Sequence, residues 1–362
     1  MLRAGLIGFP SSGKTALFQL LTSAREAPRT GGRAEANVGV SRVPDERLDR
    51  LTALFNPRKR VPATVEFADI AGAGGTRPGA QALLDVAAFR NADALLHVVR
   101  MFRDPSIPHP AGSVDPARDV RTMEDELILA DLGVVEKRLE RLERDLKKGN
   151  TPELRKEQEI LLRCREALEA GKPLRALTLT QEDAKRLRGF QFLSAKPLLI
   201  VLNLDEEDLP RADDAVRLSG LESFLSGAAT KAVPICAKIE LEIAQLDDAD
   251  AAAFMADLGL RESGLDRVIR ASYDLLGYIS FFTVGEDECR AWSIPRDTPA
   301  VLAAGEIHSD ISRGFIRAEV VRYENLLDRG TLPACREHGE LRLEGKEYIV
   351  IDGDVINFRH AT

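Results

Sequence analysis

The segment GFPSSGKT, residues 8–15, restricts the possible folds of this chain more than any other. It places Gly8, Gly13, Lys14 and Thr15 in the pattern GxxxxGK[ST], after a short apolar run at 2–7 and before a helical stretch at 14–24. In a strand–loop–helix of this kind, glycines let main-chain N–H groups turn towards phosphate oxygens, and the helix N-terminus adds a positive dipole. A glycine-rich structural turn is the alternative, but the complete pattern in this context favours a phosphate site.

The side chains of the loop have expected tasks. Lys14 reaches the β- and γ-phosphates of a nucleotide and is predicted to be catalytic, while the Thr15 hydroxyl coordinates Mg²⁺. The predicted nucleotide-binding residues of the loop are Ser11, Ser12, Gly13, Lys14, Thr15 and Ala16.

A second element of the same site is predicted at Asp69, which ends an apolar run and is followed by Ile-Ala-Gly72. A carboxylate in this position holds Mg²⁺ through water, and the Gly72 N–H senses the γ-phosphate. The pattern DxxG is weak alone, but its distance after the glycine loop supports the assignment. We therefore predict Thr15 and Asp69 as metal ligands and Gly72 as a catalytic residue.

Short apolar runs predict the architecture of the surrounding domain. Residues 64–72 are predicted as a strand that ends in a loop. The runs at 92–100 and 196–206 are of the fully buried, parallel-strand kind, and the strands alternate with helical stretches. This pattern predicts an α/β domain with a mostly parallel sheet, of the phosphate-loop nucleoside triphosphatase class.

Two further sequence patterns predict structure in addition to the parallel α/β domain. Apolar residues at 128, 132, 135, 139, 142 and 146 recur at spacings of four and three, and after the turn KKGNTPE leucines continue on a return helix. This predicts an inserted coiled-coil hairpin, either a solvated arm or a docking arm for a large partner. Short β-type runs after 277 predict a small α+β domain. We therefore expect a nucleotide-binding domain of residues 1–123 and 190–276, a helical hairpin of residues 124–189 and a C-terminal domain of residues 277–362.

Composition limits the environment and the partners. The net charge of −8 and the pI near 5.4 argue against a chain that coats nucleic acid by bulk charge, although a local basic face stays open. The four cysteines form no CxxC pair, which indicates reduced thiols. Since there is no run of about 18 apolar residues and the first apolar run is too short for a signal peptide, we expect a cytoplasmic protein with no membrane span.

The segment VLNLDE, 201–206, is the candidate that recognises the base. GTPases of this architecture place NKxD here, with an Asp that accepts hydrogen bonds from guanine, but this chain has Glu206 as the last member and Leu204 in place of Lys. Guanine selectivity should therefore be weakened. The loop at Cys236-Ala237 stands where GTPases pack a short loop on the base, although an ordinary strand-to-helix loop is the alternative. The predicted base-site residues are Asn203, Leu204, Glu206, Cys236 and Ala237.

At this point a family resemblance covers nearly the whole chain. The sequence resembles the YchF/Obg-like ATPase family, a branch of the Obg-related phosphate-loop NTPases. The segments that carry the resemblance are 37–51, 65–72, 92–102, 192–206, 289–292, 303–321 and 345–358.

The resemblance implies a nucleotide domain, a coiled-coil insertion and a C-terminal β-grasp-like TGS domain. It implies slow, Mg²⁺-dependent hydrolysis of ATP in preference to GTP, stimulation by a monovalent cation such as K⁺, and association with the ribosome or ribosomal RNA. The preference for ATP is attributed to the NxxE element, which is Asn203 and Glu206 here. Neither a membrane nor DNA is an expected partner.

The chain departs from the family pattern near the γ-phosphate. Ser11 and Ser12 replace Asn-Val, and Ala16 replaces Thr, which leaves Lys14 and Thr15 intact. Arg33 stands where the family has a metal-binding switch Thr, with Thr30 as the nearest hydroxyl, and the segment after Gly72 is shortened. Three functions therefore stay open: a slow ATPase that acts as a nucleotide-dependent switch, a nucleotide-binding scaffold without turnover, and a GTPase with another mode of base recognition.

Overall fold

The computed structural model describes residues 3–22, 37–69, 86–225, 227 and 229–361. The chain divides into two compact units, one of residues 2–40 and 66–275, the other of residues 41–65 and 276–362 together with Met1. The predicted residues Gly72 and Arg33, and with them Thr30, lie outside the described residues.

The strands and helices are numbered in chain order. The strands are β1 (Arg3–Ile7), β2 (Asn37–Arg42), β3 (Lys59–Val61), β4 (Thr64–Asp69), β5 (Ala94–Arg100), β6 (Leu198–Asn203), β7 (Thr230–Ile235), β8 (Tyr278–Thr283), β9 (Glu288–Pro295), β10 (Phe315–Arg322), β11 (Arg342–Glu344) and β12 (Asp354–His360). The helices are α1 (Lys14–Thr22), α2 (Glu46–Phe55), α3 (Pro116–Lys148), α4 (Pro152–Glu169), α5 (Gln181–Leu187), α6 (Ala215–Leu218), α7 (Glu222–Leu225), α8 (Ala237–Ile243), α9 (Asp248–Asp257), α10 (Gly264–Leu275), α11 (Ala300–Ile307), α12 (Ser309–Arg313), α13 (Tyr323–Arg329) and α14 (Leu332–Glu337).

The first sheet has the strand order β2-β4-β1-β5-β6-β7, and the pairs from β4 to β7 are all parallel. Every residue of β5 and β6 is buried, which explains why these strands are apolar runs without alternation. The predicted parallel α/β domain is confirmed, and the predicted strands correspond to β1, β4, β5 and β6. Because the strands are parallel, their carboxyl ends meet at one edge, where ligands bind in folds of this kind.

The predicted helical hairpin is present as α3 and α4. The Thr151 hydroxyl caps α4 by accepting a hydrogen bond from the Leu154 N–H, and Pro152 occupies the first position of that helix, where its missing N–H costs nothing. The predicted apolar seam forms a core between the two helices, with Val135, Leu142 and Leu161 fully buried.

Asp131 attaches the hairpin to the rest of its unit. Its carboxylate is completely buried and accepts hydrogen bonds from the N–H groups of Leu193 at 2.9 Å and Ser194 at 2.7 Å. The Arg90 guanidinium lies 3.2 Å from the same carboxylate and supplies the opposite charge. A buried carboxylate is tolerated because all these donors point at it.

The second unit contains a mixed sheet in the order β11-β10-β12-β8-β9-β3, with α11 to α14 as its C-terminal helices. The pairs of β10 with β11 and β12 and of β8 with β9 are antiparallel, while β12 with β8 and β3 with β9 are parallel. The predicted α+β character of the C-terminal part is confirmed. Residues 41–65 add α2 and β3 to this unit, although they lie far upstream in the chain. No local sequence pattern predicts this contribution.

Two predictions about the whole chain can be compared with the described residues. Cys164, Cys236, Cys289 and Cys335 are all buried and unpaired with one another. None of the helices in the described ranges combines the length and the apolar character that a membrane crossing requires.

Candidate functional site

The glycine loop between β1 and α1 has the backbone of a phosphate cradle. Gly8 and Gly13 have φ angles of +147° and +99°, which residues other than glycine rarely adopt. Ser11 also has a positive φ angle, of 60°. A Cβ atom at Gly13 would lie 2.3 Å from the Asn203 Nδ2 atom, and one at Gly8 would lie 2.5 Å from the Val98 carbonyl oxygen. Both glycines are therefore required by conformation and by space.

Lys14 lies at the first position of α1 with its ammonium group turned back onto the loop. Its Nζ donates hydrogen bonds of 2.7 Å to the carbonyl oxygens of Gly8 and Phe9. Burial lowers the pKa of Lys14, and the nearby Asp69 carboxylate partly opposes that shift. Burial likewise raises the pKa of Asp69, with Lys14 acting in the other direction. The two charges thus share one poorly solvated region at the ends of β1 and β4.

The predicted metal ligands Thr15 and Asp69 supply oxygen atoms, which Mg²⁺ prefers. Thr15 is exposed at the start of α1, and Asp69 is the last residue of β4. Within the described ranges no group of three or more His, Cys, Asp or Glu side chains is placed to hold a metal ion. Mg²⁺ commonly takes one or two protein ligands and completes its shell with phosphate oxygens and water.

His97 lies on β5 beside the loop strand, in register with Ile7 of β1. It is 1% exposed, and neither ring nitrogen has a hydrogen-bond partner among the described residues. Burial, with a smaller contribution from Lys14, lowers the pKa of His97 to about 3. This histidine is therefore neutral at physiological pH.

Asn203, at the end of β6, joins the glycine loop to the predicted base loop. Its Nδ2 donates to the Ser12 carbonyl oxygen at 3.0 Å, and its Oδ1 accepts from the Ala237 N–H at 3.0 Å. Both polar ends of the amide are thus used within the protein. Asn203 therefore links the two loops through one donor and one acceptor of its amide.

Glu206 and Lys238 form an ion pair between the two base-site segments, and both side chains are exposed. The hydrogen bond from Lys238 to Glu206 raises the pKa of Lys238. Cys236, which precedes α8, is buried, and burial raises the pKa of its thiol. The thiol is therefore protonated, and the charged groups of the two segments include the Glu206 carboxylate and the Lys238 ammonium.

These segments enclose a cavity of about 490 Å³ at the carboxyl edge of the parallel sheet. It is large enough for a purine base and its ribose, since pockets for small ligands begin near 300 Å³. Its lining residues are Gly13, Ala16, Phe102, Arg103, Asp104, Pro105, Asn203, Leu204, Asp205, Glu206, Cys236, Ala237, Lys238 and Leu241.

The cavity brings together seven of the residues predicted for nucleotide. They are Gly13, Ala16, Asn203, Leu204, Glu206, Cys236 and Ala237. Ser11, Ser12, Lys14 and Thr15 belong to the adjoining glycine loop and first turn of α1, outside the lining. Ser12 is buried, and its hydroxyl has no hydrogen-bond partner in the described part of the chain, which is costly unless a ligand or water satisfies it.

Sequence reasoning missed one wall of the cavity, formed by residues 102–105. This segment follows β5, which lies next to β6 in the sheet. The order of strands was the missing information, because a loop after any neighbouring parallel strand reaches the same edge.

The chain is similar to known proteins in sequence and in fold. Residues 278–361 match a family model named YchF-GTPase_C, which is described as a protein of unknown function (DUF933). A Bacillus subtilis protein named Ribosome-binding ATPase YchF is 43% identical over 362 residues, which is 99% of this chain and 99% of the relative. An Escherichia coli O157:H7 protein of the same name is 39% identical over 98% of each chain.

A solved structure supports the same relationship. The Schizosaccharomyces pombe YchF GTPase superposes with a TM-score of 0.83 at 30% identity, over 99% of this chain and 97% of that one. Likeness of sequence and of fold therefore extends over the whole length, with the glycine loop, the hairpin and the C-terminal module all included. The chain belongs to the YchF family of phosphate-loop nucleoside triphosphatases.

Proposed function

We propose that this chain is a Mg²⁺-dependent ATPase of the YchF family that binds ATP in preference to GTP and acts as a nucleotide-dependent switch on the ribosome, in the cytoplasm. The observation that carries the proposal is the hydrogen-bonded link through Asn203 between the glycine loop and the base cavity. Because one amide fixes both loops, phosphates and base are held by a single preformed site.

The phosphate end of the proposed site uses Lys14, Ser11, Ser12 and the main-chain N–H groups at the start of α1. The Lys14 ammonium donates to two loop carbonyl oxygens, and a triphosphate offers it stronger, charged acceptors. The unsatisfied Ser12 hydroxyl is consistent with a loop that is completed by a ligand.

Thr15 and Asp69 are the residues that would hold Mg²⁺. When bound, the ion would neutralise charge on the transferred phosphate group. Lys14 orients the β- and γ-phosphates, and the Gly72 N–H is proposed to contact the γ-phosphate. Potassium is proposed as a stimulating ion on family resemblance alone.

Selectivity for ATP is proposed to arise from Glu206 and its environment. A guanine-reading carboxylate must accept from the N1–H and the exocyclic amine of guanine, but the carboxylate of Glu206 is engaged by Lys238. The surrounding cavity is lined by Leu204, Cys236 and Ala237, which offer apolar contact to a base. Both features reduce the advantage that guanine has in an NKxD site.

A GTPase is the second candidate, because the Schizosaccharomyces pombe relative is named a GTPase. Isothermal calorimetry with Mg²⁺-ATP and Mg²⁺-GTP separates the two. We expect ATP to bind more tightly, and we expect Lys14→Ala to abolish binding while Lys137→Ala, on an exposed face of the hairpin, leaves it unchanged. Tighter binding of GTP would refute the proposed selectivity.

Association with the ribosome is proposed because the Bacillus subtilis and Escherichia coli relatives are named ribosome-binding ATPases. Ribosomal RNA would provide a polyanionic surface, so binding should weaken as salt concentration rises. Co-sedimentation with ribosomes at two salt concentrations, with and without ATP, tests this. Absence of the protein from the ribosome pellet at low salt in both nucleotide states would refute it.

A further inference from the structure

Arg100, the last residue of β5, organises the wall of the cavity that sequence reasoning missed. It is 3% exposed, and its guanidinium donates three hydrogen bonds to main-chain carbonyl oxygens of the segment that follows. The acceptors are Phe102 at 3.1 Å, Asp104 at 3.2 Å and Ile107 at 3.0 Å. The same guanidinium lies 4.4 Å from the centre of the Phe102 ring, a cation–π distance.

The other side of this segment is held by the base loop. The main-chain N–H groups of Met101 and Phe102 both donate to the Asn203 carbonyl oxygen, at 2.9 and 3.0 Å. The Asp205 Oδ2 atom accepts a hydrogen bond of 2.8 Å from the Arg103 N–H. Asp205, the first of the two acidic residues in the NLDE element, therefore binds the backbone of the wall.

We infer that Arg100 and Asp205 are positioning residues for the nucleotide base, because they fix residues 102–107 as a rigid wall of the base cavity. This inference rests on the proposed function of the site as a nucleotide pocket. Neither side chain needs to touch the base. Each acts through the segment whose residues Phe102 to Pro105 line the cavity.

The chemistry of the two residues suits this task. An arginine offers five N–H donors in a planar fork, so a single buried side chain satisfies three carbonyl oxygens that point in different directions. A lysine or methionine at position 100 leaves some of those carbonyls unpaired, and the segment is then free to leave the position in which it supports a base. At position 205 an asparagine keeps an acceptor for the Arg103 N–H, whereas an alanine does not.

The test compares two probes on the full-length protein, Mg²⁺-ATP and Mg²⁺-tripolyphosphate, which has the phosphates but no base. We expect Arg100→Met and Asp205→Ala to weaken ATP binding by about tenfold, the scale of a lost base-stacking surface, with binding of tripolyphosphate unchanged. Asp205→Asn should bind ATP as the wild type does. Arg138→Met on the hairpin, which loses an ion pair with Glu157 away from the cavity, is the matched control.

Each other outcome overturns the inference in a recognisable way. Equal losses for ATP and tripolyphosphate would show a general structural role, and unchanged ATP binding in both variants would show no role. If Arg100→Met does not fold, the comparison of Asp205→Ala with Asp205→Asn tests the inference. Equal ATP affinity of these two variants would contradict it. If the wild type itself binds no ATP, the proposed function fails first and the inference falls with it.

Discussion

The side-chain amide of Asn203 donates a hydrogen bond of 3.0 Å to the carbonyl oxygen of Ser12, across 191 positions of sequence. Since its carbonyl end accepts from the Ala237 N–H, one residue sets the distance between the phosphate loop and the base loop. A nucleotide that contacts both loops therefore finds them already in position, which lowers the entropy cost of ordering the loops on binding.

Replacing Asn203 by Asp tests this relationship. The carboxylate can still accept from Ala237, but it cannot donate to Ser12 and instead sets an anionic oxygen against that carbonyl. We expect the binding free energy of the nucleotide to fall by about 1–3 kcal/mol, the usual cost of a buried unpaired group. Binding would then be roughly five- to 150-fold weaker. Because the phosphate loop itself is disturbed, calorimetry should show the loss with Mg²⁺-tripolyphosphate as well as with Mg²⁺-ATP. A loss confined to ATP would contradict this account.

Replacing Gly13 by Ala should abolish nucleotide binding without unfolding the protein. The new Cβ would lie 2.3 Å from Asn203 Nδ2, at a φ angle of +99° that alanine rarely adopts, so the loop must change shape. Gly133→Ala is the matched control, because no heavy atom lies within 4 Å of its Cβ position in the helix α3. That variant should bind ATP normally and gain up to about 1 kcal/mol of helix stability. ATP affinity of Gly13→Ala equal to that of Gly133→Ala would refute the prediction.

His97 should make the folded state sensitive to acid. Its pKa is about 3 in the folded protein, against 6.5 for an unperturbed histidine, so below pH 6.5 the unfolded chain binds a proton that the folded chain does not. The free energy of unfolding therefore falls as pH drops from 6.5 towards 3, by up to about 1.4 kcal/mol per pH unit from this group. Urea titrations at several pH values should show a shallower dependence for His97→Gln. Parallel curves for the two proteins would show that His97 does not contribute.

Asp131 should be essential for stability although it lies far from the phosphate loop in sequence. Asp131→Ala leaves the Leu193 and Ser194 N–H groups and the Arg90 guanidinium without their carboxylate. We expect a loss of about 3 kcal/mol in the free energy of unfolding, measured by urea denaturation. Asp125→Ala, at an exposed position of the same helix, should change stability by less than about 0.5 kcal/mol. Similar losses in the two variants would mean that the buried carboxylate stabilises nothing.

The parts of the fold that the sequence predicts are those with a local signature. The glycine loop, the largely apolar strands β5 and β6 and the heptad-like seam of α3 each carry a motif or pattern of their own, and the structure contains all of them. The predicted base-site residues also line one cavity. They could be predicted because they lie at or just after the ends of two strands, β6 and β7, and these ends lie at the same edge of the parallel sheet.

The parts that sequence reasoning misses depend on partners distant in the chain. Residues 41–65 join the unit of the C-terminal module through β3, whose three residues pair with β9 more than 200 positions later. The roles of Arg100 and Asp205 depend on the adjacency of β5 and β6, and the engagement of both ends of Asn203 depends on exact side-chain placement. Such facts come from tertiary packing, which a local pattern does not encode.

Single-turnover phosphate release tests whether this site hydrolyses ATP. With Mg²⁺ and K⁺ present and enzyme in excess, the wild type should release phosphate from ATP slowly but clearly above the Lys14→Ala protein, and faster than from GTP. Phosphate release from ATP no greater than that of Lys14→Ala would contradict the account and leave a protein that binds nucleotide without splitting it.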